Sequence, residues 1–176
     1  SNAQDSLEQA KNISNEEYQK EWIEMSFLQL YIGEARENSP EDSFAKIQKQ
    51  SKIASQYDIL IDSENREIQT QAVMTMANLA LQMEEAQDCI SIIQDWSAFD
   101  LGPGWDTSLV ELHVAALLQN NQKDEAIELY DQLITRWNDE ENKSIFDEVW
   151  VPSWLGLAGI HESRQEYEQA KEYAQK

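Results

Sequence analysis

Between residues 73 and 137, apolar side chains recur at helical spacing in three separate stripes. This periodicity limits the chain's possible folds more than any other feature. Val73, Met76, Ala77 and Ala80 form the first stripe, and Cys89, Ile90, Ile93 and Trp96 the second. Ala126, Ile127, Tyr130, Leu133, Ile134 and Trp137 form the third. Steps of three and four residues place side chains on one face of an α-helix, whereas a strand requires alternation, and no convincing alternation occurs. The stretch Leu109, Val110, Leu112, Val114, Ala115, Ala116, Leu117 and Leu118 leaves almost no polar face. Such a helix is expected to be covered on more than one side, inside a stack.

Punctuation agrees with this reading. Ser14 with Glu17 spells a capping box, and Ser39-Pro40-Glu41-Asp42 reads as a cap, a first-turn proline and acids at the positive helix end. Ser63 and Asp106 are further expected caps, and Pro152 fits a first turn. The pattern predicts helices near 5–12, 15–36, 41–58, 66–83, 86–97, 107–120, 123–138, 151–164 and 167–175. Connections are mostly short, which favours antiparallel hairpins. The scarcity of glycine (5) and proline (3) points the same way, to an all-α chain.

Charge narrows the partners. Lys plus Arg number 13 and Asp plus Glu 34, a net charge of −21, which argues against nucleic acid and anionic lipid. A basic partner is the functional reading of this charge, and plain solubility the other. The lone cysteine, Cys89, allows no internal disulfide and no cysteine metal cluster. No apolar run is long enough to span a bilayer, so no membrane insertion by this segment is expected. Ser1-Asn2-Ala3 looks like an expression scar.

The second half is self-similar. Its last copy reads Trp154-x-x-Leu157-Ala158-x-x-His161, then Tyr167-x-x-Ala170. The copy before reads Val110-x-x-His113-Val114-x-x-Leu117, then Lys123-x-x-Ala126-Ile127-x-x-Tyr130. The first reads Val73-x-x-Met76-Ala77-x-x-Ala80, then Ala86-x-x-Cys89. The pattern resembles the tetratricopeptide repeat (TPR), with Ala158 at the consensus glycine and His161 at the consensus tyrosine. Cys89 and Ala126 stand 37 residues apart, and Ala126 and Ala170 stand 44 apart. The family norm is ~34, and the excess falls in the linkers 97–107 and 138–151.

The resemblance implies antiparallel helical hairpins stacked as a TPR-like right-handed solenoid in one continuous domain. Residues 4–62 then form a degenerate N-terminal hairpin region, and 63–176 hold three repeats, about 66–97, 107–138 and 151–176. Small residues at Ala77 and Ala158, and at Cys89, Ala126 and Ala170, are expected to let paired helices approach. Cys89 is then a packing residue.

In TPR arrays the first helices line a concave groove. By position this puts Met74, Asn78, Leu81, Glu111, Ala115, Leu118, Leu155, Gly159 and Glu162 on a partner-binding groove. A protein or peptide carrying Lys or Arg between apolar anchors would suit it. Glu111 and Leu155 stand where a carboxylate clamp would want cations, which argues against that mode. The alternatives are a self-assembling module, such as a homodimer covering the last hairpin, and a helical small-molecule or carbohydrate-binding domain with catalytic carboxylates. Gly102-Pro103-Gly104-Trp105 resembles a turn of periplasmic, translocon-ancillary TPR proteins, and the long linkers resemble outer-membrane-assembly lipoproteins. A periplasmic or membrane-anchored location facing the periplasm is therefore expected, with the cytoplasm as the alternative.

No catalytic site, cofactor or metal site is expected. His161-Glu162 begins like H-E-x-x-H but lacks the second histidine, and both His113 and His161 fall on packing positions. Gly102-Pro103-Gly104 lacks the lysine of a phosphate loop. Trp96, Trp137 and Trp154 are expected in the core, and Trp105 and Trp150 as lids over hairpin ends.

Overall fold

The structure is a computed structural model that describes residues 2–13, 17–96, 102–137 and 145–176. Among these residues the regular elements are all helical, with no strand. They are α1 (Asn2–Ile13), α2 (Glu17–Asn38), α3 (Phe44–Gln48), α4 (Ser51–Ile61), α5 (Arg66–Gln82), α6 (Ala86–Asp95), α7 (Pro103–Gln119) and α8 (Lys123–Arg136). A π-helical turn, Phe146–Trp150, then leads into α9 (Val151–Ser163) and α10 (Tyr167–Ala174). The expected capping box at Ser14 lies outside the described residues, as does the acidic run Asp139-Glu140-Glu141.

The chain divides into two compact units, Ser1–Asp88 and Cys89–Lys176, with the division inside α6. In the first unit, α1 packs on α2, and α2 packs on α4 and α5. Its core includes Met25, Leu28, Ile32 and Ala35 of α2, Ile53 and Leu60 of α4, and Ile68, Ala72, Val73 and Met76 of α5. In the second unit, α8 packs against both α7 and α9, the π turn packs on α7 and α9, and α10 closes on α9. Its core includes Leu109, Val110, Val114, Leu117, Ala126, Tyr130, Leu133, Val149, Leu157 and Ile160.

The expected helix 41–58 is two helices. Phe44, Ile47, Ile53 and Leu60 are all buried. In one continuous helix, Phe44 and Ile53, nine residues apart, would point in opposite directions at 3.6 residues per turn. The break at Lys49–Gln50 re-registers the chain so that both are buried. The cap and proline at Ser39-Pro40 lie in a turn ahead of Ser43, and the Phe44 amide instead donates to Glu85 Oε1 at 2.8 Å.

Two expected caps move. Asn65, not Ser63, caps α5, its side chain accepting from Glu67 N at 3.0 Å. Ser63 Oγ accepts from Asn65 N and donates to Glu21. Asp106 is not a cap at all. Helix α7 starts at Pro103 with Gly102 as N-cap, at a φ of +112° that side chains rarely adopt. This buries Asp106 inside the first turns, where its Oδ2 accepts from Trp137 Nε1 at 3.1 Å and faces Arg136 Nε at 3.4 Å. Pro152 does lie in the first turn of α9.

Three helix-to-helix turns share one hydrogen-bond pattern. Each holds a non-glycine residue at positive φ: Glu84 (63°), Asn121 (60°) and Gln165 (63°). The next amide closes on a carbonyl five residues back: Glu85 on Ala80 (3.0 Å), Gln122 on Leu117 (2.8 Å) and Glu166 on His161 (3.0 Å). This is the Schellman closure, formed three times without its usual glycine. It aligns the preceding helices residue for residue, so Val73, Val110 and Trp154 are equivalent, as are Met76, His113 and Leu157.

Ala77, Ala126 and Cys89 are fully buried, while Ala158 and Ala170 are half-buried. The tightest approach to α9 is at Gly156. A Cβ built there collides with the hydroxyl, Cζ and Cε2 of Tyr130 on α8. The tryptophans expected in the core, Trp96, Trp137 and Trp154, are only half-buried.

Candidate functional site

The shared turn fixes the register of α5, α7 and α9, and with it the nine groove positions. Counted back from each turn they are Met74, Asn78 and Leu81 on α5, Glu111, Ala115 and Leu118 on α7, and Leu155, Gly159 and Glu162 on α9. Each trio steps by four and then three, a single stripe along its helix.

Helix α7 is covered almost all round. Asp106, Thr107, Leu109, Val110, His113, Val114, Ala116 and Leu117 are buried, and along its middle Glu111, Ala115 and Leu118 are exposed. Helix α9 repeats this: Ser153, Leu157 and Ile160 are buried, and Leu155, Gly159 and Glu162 are exposed. Two leucines of these stripes stay in solvent, Leu118 at 37% and Leu155 at 63% exposure. On α5, in the first unit, Asn78 is exposed while Met74 and Leu81 are half-buried.

Within the second unit α7 and α9 both pack on α8, and Tyr130 of α8 connects them. Its ring lies against Gly156, one residue from Leu155. Burial first, and the nearby Glu111 carboxylate second, push its phenol pKa up to about 12. Glu111 of α7 and the start of the α9 stripe are thus neighbours of one buried tyrosine. Among the described residues neither Glu111 nor Glu162 forms an ion pair. Sequence reasoning missed the Tyr130–Gly156 approach, because the consensus places its small residue at Ala158.

Other polar groups have structural surroundings. The Cys89 thiol is buried, and burial pushes its pKa up to about 11, away from thiolate chemistry. His113 is 8% exposed, and among the described residues its Nε2 has no hydrogen-bond partner. His161 Nδ1 lies 2.6 Å from Glu166 Oε2, and its ring stacks on Tyr173 at 5.5 Å. Glu166, held also by Arg164 Nε at 3.0 Å, has its carboxyl pKa lowered, by the His161 hydrogen bond first. Trp150 and Trp154 lie 5.7 Å apart between the π turn and α9.

In the first unit, a cleft of about 460 Å³ is lined by Glu41, Asp42, Glu84, Glu85 and Arg36, with no aromatic ring in its wall. Among the described residues no cluster of His, Cys, Asp or Glu is placed to hold a metal ion. Among the described residues no helix is long and apolar enough to cross a membrane.

No family model, curated protein or solved structure matches the chain.

Proposed function

We propose that this chain is a non-catalytic, TPR-like scaffold whose stacked hairpins hold a peptide or helix of another protein. The observation that carries the reading is the stripe Glu111, Ala115, Leu118 repeated in register by Leu155, Gly159, Glu162. On α7, every other face in mid-helix is covered, yet this one keeps leucine in water. Exposed leucine between small residues and charges suits a hot spot ringed by polar groups. The three equivalent turns support a repeat architecture, and with it the right-handed solenoid.

A second copy of the chain suits this face less well. At a net charge of −21, pairing like surfaces that each carry Glu111 and Glu162 sets acid against acid. On the resemblance of the Gly102-Pro103-Gly104-Trp105 turn, we place the scaffold in the bacterial periplasm, which fractionation of the native cell checks.

The test is Ala115→Trp. The site is exposed, so the variant keeps its fold, as a circular-dichroism melt verifies. It should lose the partners that the wild-type protein captures from native extract. Capture of the same partners by the folded variant would reject the groove.

A further inference from the structure

We infer that the seat of α1 on α2 is a docking site for an amphipathic helix of a partner, one richer in lysine or arginine than α1, and that α1 closes this site in cis as a weak occupant. All the residues concerned belong to the first unit, and none is among the nine groove positions.

The seat is built around a buried acid. Glu24 of α2 is 9% exposed, and a carboxylate so far from water needs a cation and hydrogen-bond donors. Gln56 of α4 donates to its Oε2 at 2.8 Å, and Lys11 of α1 pairs with its Oε1. Tyr31 follows about two turns further along α2 and is half-buried. Its phenol pKa is raised, by burial first and then by Glu8 of α1, Glu34 and Glu24, while Lys11 lowers it. The Lys52 ammonium lies 4.9 Å from its ring centroid. The strip of α2 on which α1 lies is thus edged by two carboxylates, Glu24 and Glu34.

Helix α1 fits this strip in shape better than in charge. Gln4, Leu7, Ala10 and Lys11 step by three and four and are half-buried, while Ala3, Asp5, Ser6 and Glu8 are exposed. None of its described side chains is fully buried. A helix this short is marginal by itself, so α1 owes its order to the seat. Of the two charged groups it brings near Tyr31, Lys11 and Glu8, one has the wrong sign. Glu8 faces the acids of α2, and among the described residues neither Glu8 nor Glu34 forms an ion pair. A helix with lysine in place of Glu8 keeps the contact to Glu24 and turns a repulsion into an attraction. That difference selects a basic partner helix over α1.

The probe is a fluorescent, amidated peptide of residues 2–13 carrying Glu8→Lys. The unaltered peptide and one carrying Lys11→Glu are the controls. The receptors are the full chain and full-chain variants with Lys11→Glu, with Glu8→Lys, and with Lys11→Glu plus Glu24→Gln. Fluorescence anisotropy reads affinity, and hydrogen exchange reads the protection of α1, α2 and α4.

Lys11→Glu sets acid against Glu24, so α1 should lose exchange protection while α2 and α4 keep theirs. With the cis competitor gone, this open chain should bind the probe at least about tenfold more tightly than the wild type does. Glu8→Lys strengthens the competitor and should weaken probe binding about tenfold below wild type. Adding Glu24→Gln to the open chain should weaken binding about tenfold, and the Lys11→Glu peptide should not bind. No binding of the probe to the open chain, or binding indifferent to Glu24→Gln, overturns the inference. Loss of protection throughout α2 and α4 in the Lys11→Glu chain overturns it too, because α1 is then an integral part of the core. Equal binding of the probe and the unaltered peptide to the open chain also overturns it, and makes α1 of a second copy the occupant.

Discussion

Tyr130 of α8 lies so close over Gly156 of α9 that no side chain, not even a methyl group, fits at residue 156 without moving the ring. Tyr130 is buried, so its ring has little room to yield. Gly156→Ala should therefore destabilise the protein by about 1–3 kcal/mol through overpacking. Tyr130→Leu should relieve part of that cost, so the double variant should be more stable than the sum of the single changes allows. Chemical denaturation of all four proteins measures the coupling.

The three equivalent turns offer a second test. Left-handed backbone costs an ordinary residue about 1–2 kcal/mol, and asparagine tolerates it better than most. Gln165→Gly and Glu84→Gly should each raise stability by about 0.5–1 kcal/mol. Asn121→Gly should gain less. Melting temperatures that fall for Gln165→Gly and Glu84→Gly would mean these residues do not hold positive φ.

His113 stands where the equivalent helices bury Met76 and Leu157. Burial lowers its pKa below the ordinary value near 6.5. The folded protein therefore resists a proton that the unfolded chain accepts. Stability falls as pH drops through about 6.5 and continues to fall until the lower folded-state pKa is passed. Above that window the contribution is flat. His113→Met should remove this slope, and at pH near 7.5 it should add about 1 kcal/mol by eliminating the unsatisfied nitrogen. The stability difference between wild type and variant, compared at pH 7.5 and 5.5 in urea, isolates the effect from other titrating groups. A pH-independent difference would contradict it.

Asp106 is fully buried, and its carboxylate depends on Arg136 and Trp137. Arg136→Met leaves that charge short of a partner and should cost about 3 kcal/mol. Arg164 bridges Asp124 and Glu166 at the surface, where ion pairs contribute little. Arg164→Met should leave the melt nearly unchanged. Comparable losses for the two would place Asp106 in a wetter site than described.

Local periodicity made much of this legible. Ala77 and Ala126 are buried where the helical stripes put them, because the 3.6-residue repeat assigns a face without knowledge of neighbours. The covered faces of α7 were also visible, since a helix without a polar side must find several partners. Features set by distant contacts were not. Asp106 after Gly-Pro-Gly looks like a cap, and only Arg136 and Trp137, thirty residues on, explain its burial within the helix. Glu84, Asn121 and Gln165 carry no glycine signal for their left-handed turns. The break between α3 and α4 follows from burying both Phe44 and Ile53, which a single-helix reading ignores. The stripes on α7 and α9 could be located by counting through the repeat. That Glu111 and Gly156 both neighbour Tyr130 depends on how the helices approach, and a one-dimensional pattern does not encode that distance.

Hydroxyl-radical footprinting of the protein, alone and with its captured partner, tests the binding face most directly. Among the described residues four large apolar side chains are exposed: Leu155 (63%), Leu118 (37%), Ile59 (53%) and Tyr167 (64%). The partner should shield Leu155 and Leu118 from oxidation and leave Ile59 and Tyr167 as reactive as before. Shielding of Ile59 or Tyr167, with Leu155 and Leu118 still oxidised at their free rates, would contradict the account.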